Sequence, residues 1–180
     1  MIVDMAMTDP HRHFLDAALE GDNVALGRLV QATQPAVWKI CSLLGSRGNT
    51  EDLSQETYLR AMRSLSGYRG ESTVVVWLMS IARHVCADDI RKRQRQRRLV
   101  ERVTRYERTN HDTAGELAPV DDILSCLDRE RREAFLLTQY VGLRYDEAAL
   151  VLDCPVGTVR SRVSRARAQL SEIIRSSQAQ

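Results

Sequence analysis

Turn-forming residues are scarce in this chain: nine glycines and four prolines among 180 residues, with aromatics at only 5%. So few turn-formers and strand-favouring rings argue against sheets and for an all-α protein. No apolar run approaches the roughly 18 residues of a membrane span. The N-terminus lacks a basic segment followed by an apolar stretch, so a cytoplasmic protein is expected. The four cysteines, Cys41, Cys86, Cys126 and Cys154, are isolated in the sequence. With no Cys-x-x-Cys pair and no histidine at ligand spacing, buried reduced thiols are expected, with no metal and no cofactor. His11 and His13, the one close histidine pair, read as a frayed polar end. A surplus of one charge is missing too. The 26 basic residues face 24 acidic ones, a net charge of +2, so any basic surface must come from uneven distribution.

Chemistry-bearing patterns are equally sparse. There is no glycine-rich phosphate loop, no zinc spacing and no Ser/Cys–His nucleophile pattern. The acid pairs Glu51–Asp52, Asp88–Asp89 and Asp121–Asp122 could suggest a metal-dependent nuclease. Adjacent helical residues, however, project about 100° apart, so no pair makes a clamp by itself. No catalytic residue is named, and an enzyme is not expected.

What the chain does contain is helical periodicity in two halves. Apolar residues at 43% and charged residues at 28% fit a soluble globular protein with room for one compact domain or two small ones. Asp9 before Pro10 predicts a helix opening, and that helix runs to Gly21. A second helix is predicted from Asn23 to Leu44, kinked or interrupted by Pro35. A third begins at Asn49 or Thr50 and ends near Ser66. Val74, Trp77, Leu78, Ile81, Ala82 and Val85 then form the stripe of a core-facing helix. Trp77 lies on that stripe, which favours core packing. Helical pattern resumes past Pro119 as Asp121–Leu127, Arg129–Val141, Tyr145–Leu152 and Val156 to about Ile174. Residues 10–98 and 120–176 are thus expected to form two helical domains, joined by a flexible linker over 99–119.

Three features bear on function. On the third helix Leu59 sits apart from the arc holding Leu53, Tyr58, Ala61, Met62 and Leu65. Asp52, Gln55, Glu56 and Arg63 surround it. That arrangement suits a protein-docking patch, though single exposed leucines are common. From Arg91 to Arg98 six of eight residues are Arg or Lys. They suit a polyanion, or else complement a helix C-terminus. On the last helix Val159, Val163, Ala166, Leu170, Ile173 and Ile174 share one side. The opposite arc holds Arg160, Ser161, Ser164, Arg165 and Ala168, flanked by Arg162 and Arg167. A tight turn precedes this helix and no acid interrupts it before Glu172. Small side chains and guanidinium groups on one face suit the DNA major groove better than plain solvation.

At these residues a family resemblance emerges. Asp52-Leu53-Ser54-Gln55-Glu56-Thr57-Tyr58-Leu59-Arg60-Ala61 resembles the polymerase-binding helix of sigma-70-type transcription initiation factors. Trp77-Leu78-Met79-Ser80-Ile81-Ala82-Arg83, with Asp88 to Arg91, is similar to the promoter-melting part of their domain 2. Gly157-Thr158-Val159-Arg160-Ser161-Arg162-Val163-Ser164-Arg165-Ala166-Arg167 resembles the recognition helix of domain 4. The resemblance spans about Phe14 to Leu170, and at this length it points to the two-domain, extracytoplasmic-function group. His84 departs from the asparagine often found there, and Ala148 from a larger aliphatic.

The resemblance implies an alternative initiation factor that binds core RNA polymerase and directs it to promoters by their −35 and −10 elements. By it, Asp52, Gln55, Glu56 and Leu59 would meet the polymerase. Tyr68, Arg69, Gly70, Glu71 and Ser72 would trap an extruded base of the non-template strand in the downstream element. Arg83, His84, Arg91, Arg93 and Arg95 would lie along that single strand. Thr158, Arg160, Ser161, Arg162, Ser164, Arg165 and Arg167 would read the upstream element as a duplex. An anti-sigma factor is an expected partner by family habit. The competing reading is a helix-turn-helix regulator that acts without being a polymerase subunit.

Overall fold

The computed structural model describes residues 9–46, 48–103 and 123–178. Seven helices carry the fold among them: α1 (Arg12–Leu19), α2 (Asn23–Leu44), α3 (Thr50–Ser64), α4 (Val74–Val103), α5 (Arg129–Phe135), α6 (Tyr145–Leu152) and α7 (Val156–Gln178). No strand occurs among the described residues.

Local chemistry sets most boundaries. The first helix opens two residues later than Pro10 suggested, because Asp9 Oδ1 accepts the His11 amide at 3.1 Å and the chain turns there. His11 is half-buried and the His13 ring packs 3.9 Å from Phe14, so this end is folded rather than frayed. Asp22 caps α2 by accepting from Val24 and Ala25 at 2.8 and 3.1 Å. Pro35 removes a donor, yet α2 continues through it as one helix. Leu29, Val37 and Ile40 on either side are anchored in the core, and each such burial contributes about 1.5–3 kcal/mol. The corner into α3 is tight. A Cβ added at Gly45 would lie 2.5 Å from the Cys41 carbonyl oxygen and against the Leu53 side chain. A 3₁₀ turn, Leu65–Gly67, closes α3.

The long α4 packs on α2, α3 and α6. The predicted stripe is there, but Val76 and Met79 are buried as well, at 1% and 0% exposure. A second side of α4 is therefore covered, and the two halves share a core. Ala148, Ala149, Val151 and Leu152 of α6 belong to the same apolar cluster as Val74, Leu78, Val85 and Cys86. Leu43 of α2 joins Leu124, Leu127, Leu136, Ala166 and Leu170 in a second cluster. The predicted linker begins inside α4, which extends to Val103; residues 104–119 lie outside the described residues.

Polar contacts fasten the seam between the halves. Glu133, 5% exposed, accepts Arg83 Nε at 2.8 Å and Arg129 Nε at 2.7 Å. Arg132 donates to the Leu43 carbonyl at 2.9 Å, and Lys39 Nζ stands 5.3 Å from the Tyr140 ring centre. The thiols are less uniform than expected: Cys41 and Cys86 are buried, Cys154 is half-buried and Cys126 is exposed. A hydrogen bond from Cys86 draws the Cys41 thiol down to about 7 against the opposing pull of burial. That shared bond, reinforced by burial, holds the Cys86 thiol well above its usual range.

Candidate functional site

Three surfaces collect the residues singled out above. The first is the outer face of α3. Leu53, Ser54, Thr57 and Ala61 turn inward, which leaves Asp52 and Gln55 exposed and Glu56 half-exposed. Leu59 stands out at 47% exposure. Met62, which the wheel placed in the buried arc, is 43% exposed. It lies one turn beyond Leu59, and the i, i+3 spacing was the available signal for that pair. Arg60 ties this face down by donating to Glu56 at 2.7 Å and to Asp88 of α4 at 2.8 Å. The Arg60 guanidinium holds the Asp88 carboxyl below the usual carboxylate range. Beside this face an open cleft of about 610 Å³ is lined by Asn49 and Asp52 and, from α4, by Asp89, Lys92, Arg93, Gln96 and Arg97.

The second surface is the loop Tyr68–Ser72 with the adjoining stretch of α4. The Tyr68 hydroxyl donates to the Ser72 carbonyl and closes the loop on itself. Gly70 has φ +74°, a conformation that favours glycine. Trp77 packs 5.1 Å from the Tyr68 ring and is half-buried against the core. Arg69 and Glu71 are exposed. On α4, His84, Arg91 and Arg95 are exposed and recur at seven and four residues, so they line one stripe. His84 Nδ1 lies 2.7 Å from the Ser80 carbonyl oxygen. Arg91 pairs with Asp88 at 3.2 Å and Arg93 with Asp89 at 3.4 Å. Asp89 in turn accepts from Ser46 at 2.5 Å and from Asn49 at 3.3 Å, so both acids of that pair serve the fold. Arg83 is set apart from the stripe. Its guanidinium is held in the seam by Glu133.

The third surface belongs to α6 and α7. Asp153 ends α6 with φ 51°, the left-handed step that turns the chain toward Pro155 and α7. Val159, Val163 and Ala166 of α7 are buried at 0–1% exposure, while Arg160, Ser164, Arg165 and Arg167 are exposed. The arginine face therefore points outward. Ser161 is half-buried and donates to the Thr158 carbonyl at 2.9 Å. Arg162 is also half-buried, paired with Glu130 and donating to Cys154 Sγ at 3.6 Å. Arg167 donates to Gln139. Nothing stands within 4 Å of where a Gly157 Cβ would be, so the helix start is open to a close approach. Among the described residues no group of three or more His, Cys, Asp or Glu could hold a metal ion. No helix among them is long and apolar enough to cross a membrane.

Comparison with known proteins gives consistent matches. The family model for sigma-70 region 2 matches residues 29–96, and that for sigma-70 region 4 matches 117–170. The ECF RNA polymerase sigma factor SigC of Mycobacterium tuberculosis is 42% identical over 159 residues, covering 84% of each chain. Among solved structures, CnrH in complex with the cytosolic domain of CnrY superposes with TM-score 0.74 at 30% identity, over 92% of this chain and 97% of that one. The sigma factor RpoE in complex with the anti-sigma factor NepR from Bartonella quintana gives TM-score 0.71 at 28% identity, over 83% and 96%.

Proposed function

The chain belongs to the sigma-70 family of transcription initiation factors, in its extracytoplasmic-function (ECF) group, and on that premise we propose that its three surfaces divide the contacts of initiation. Residues 10–98 form the part that binds polymerase and opens the promoter, and residues 120–176 the part that reads the duplex upstream. Asp52, Gln55, Glu56 and Leu59 on α3 dock on core RNA polymerase, with Met62 extending the apolar centre. The loop Tyr68–Ser72 receives an unstacked base of the non-template strand. Unstacking costs a few kcal/mol, which a closed loop beside a basic helix can offset. His84, Arg91, Arg93 and Arg95 follow that strand's phosphates. Arg83 commits its Nε to Glu133 and would reach that strand with its Nη groups. The chain contributes binding and positioning, and the polymerase does the chemistry, in the cytoplasm where both find DNA.

The observation that carries this reading is α7, whose arginines face outward while its apolar side is buried. Arg160, Ser164 and Arg165 face the base edges. Thr158 and Ser161 shape the opening turn, and Arg162 and Arg167 approach phosphates from the flanks. An anti-sigma factor is part of the same reading. The Bartonella neighbour was solved with one, and its likeness covers 83% of this chain.

The test is transcription by purified core polymerase on fragmented genomic DNA, with start sites mapped. Addition of the chain is expected to create a discrete set of starts sharing two elements. DNA binding without new starts would instead indicate a regulator acting alone. Arg165→Ala should then weaken upstream-element binding by about 1–3 kcal/mol if it reads a base edge, measured on duplex probes. Unchanged promoter strength would remove Arg165 from the interface.

A further inference from the structure

The loop Tyr68–Ser72 is braced by residues far from it in sequence. Asp9 Oδ2 accepts the Val74 amide at 2.7 Å, capping the first turn of α4 just past the loop. The other oxygen of the same carboxylate accepts the His11 amide at 3.1 Å, so one side chain fixes the starts of α1 and α4 together. Arg12 reaches the front of the loop. Its guanidinium carbon lies 5.3 Å from the Tyr68 ring centre, and a Cβ at Gly70 would come within 2.6 Å of its Nη1. Asp16 aims the group by accepting Arg12 Nε at 2.9 Å. Tyr68 is thereby packed by both Arg12 and Trp77 while its hydroxyl holds the Ser72 carbonyl.

A five-residue loop with a glycine at positive φ has one internal bond, from Tyr68 to Ser72, to order it from within. Left to itself it would sample many shapes, and a base entering it would bear the entropy of choosing one. We propose that Asp9 and Arg12 are positioning residues for base capture: Asp9 anchors the far end of the loop and Arg12 fixes Tyr68 and Gly70, so the choice of the trapped base depends on the segment leading into α1. The inference rests on reading Tyr68–Ser72 as the seat of the extruded base. Its physical content is preorganisation. The favoured base meets a loop already shaped for it, whereas disfavoured bases gain little from that shape. Loosening the brace therefore penalises the favoured base most and narrows the spread among the four.

The experiment uses holoenzyme assembled from the full chain and core polymerase. Its probes are fluorescent single-stranded oligonucleotides of the mapped downstream element, one for each base at the trapped position. Arg12→Ala is expected to shrink the ratio of best to worst affinity by about 5–10-fold while core binding is retained. Arg12→Lys keeps the cation but not the planar fork, and should restore only part of the ratio. Should Arg12→Ala fail to fold, Arg12→Gln carries the same expectation with most of the side chain kept. A parental ratio in the Ala or Gln variant would overturn the inference. Failure of the underlying reading looks different: the parent itself would show no base preference, or Gly70→Ala, which must displace the guanidinium, would leave every affinity unchanged.

Discussion

Asp52→Arg combined with Glu56→Arg is expected to weaken assembly with core polymerase by about 100-fold or more, since opposing a charged pair at an interface costs about 2–5 kcal/mol. Both side chains stand on the outer face of α3, while Leu53, Thr57 and Ala61 hold the helix from its other side. The fold should survive the change. Glu56 pairs with Arg60, but Arg60 keeps Asp88 at 2.8 Å as a second partner. Unaltered circular dichroism with lost assembly, measured by fluorescence competition against the parent chain, is the expected pair of results. Intact assembly would remove this face from the contact. Leu59→Ala offers an uncharged control, because an exposed apolar anchor ringed by polar groups has the form of an interface hot spot.

The second large effect is on stability. Glu133→Ala should lower the free energy of unfolding by about 1–3 kcal/mol, because Arg83, only 22% exposed at its side chain, would lose its carboxylate partner. Glu133 is 5% exposed and serves two guanidinium groups from different halves, Arg83 at 2.8 Å and Arg129 at 2.7 Å. Arg129→Ala should cost much less. Its side chain is 52% exposed, and Glu133 would retain Arg83. Urea titration of the three chains measures the contrast. Equal midpoints for parent and Glu133→Ala would mean that the Glu133 ion pairs contribute nothing to the fold.

Much of the architecture was legible in the residues, and the reasons are local. The helical run predicted from Asn23 to Leu44 matches α2, and the spacing from Val74 to Val85 announces α4. The break at Asp153-Cys154-Pro155 separates α6 from α7. Each signal needs only neighbours in sequence. What was not legible depends on partners elsewhere. A helical wheel shows that one stripe of α4 is apolar. It does not show that Val76 and Met79, on another side of the same helix, will be buried as well. Glu133 sits in the polar run Arg129-Glu130-Arg131-Arg132-Glu133, where nothing distinguishes a buried acid from a solvated one. Arg83 was grouped with the strand-facing cations by the family resemblance; only the fold places Glu133 against it. The brace from Asp9 to Val74 links residues 65 apart, beyond any periodicity. Cys126 was grouped with buried thiols by residue type, yet it is exposed while Leu124 and Leu127 on either side are buried.

The crowded corner at Gly45 carries a genetic consequence. A replacement there would collide with the main chain of one helix and a side chain of the next, and relief requires α3 to swing away from α2. The residues proposed to face polymerase would all remain, but presented at the wrong angle. A search for inactive alleles should therefore recover changes at a site remote from every charged surface, and trimming Leu53 alone should not revert them, because the contact with the Cys41 carbonyl oxygen remains.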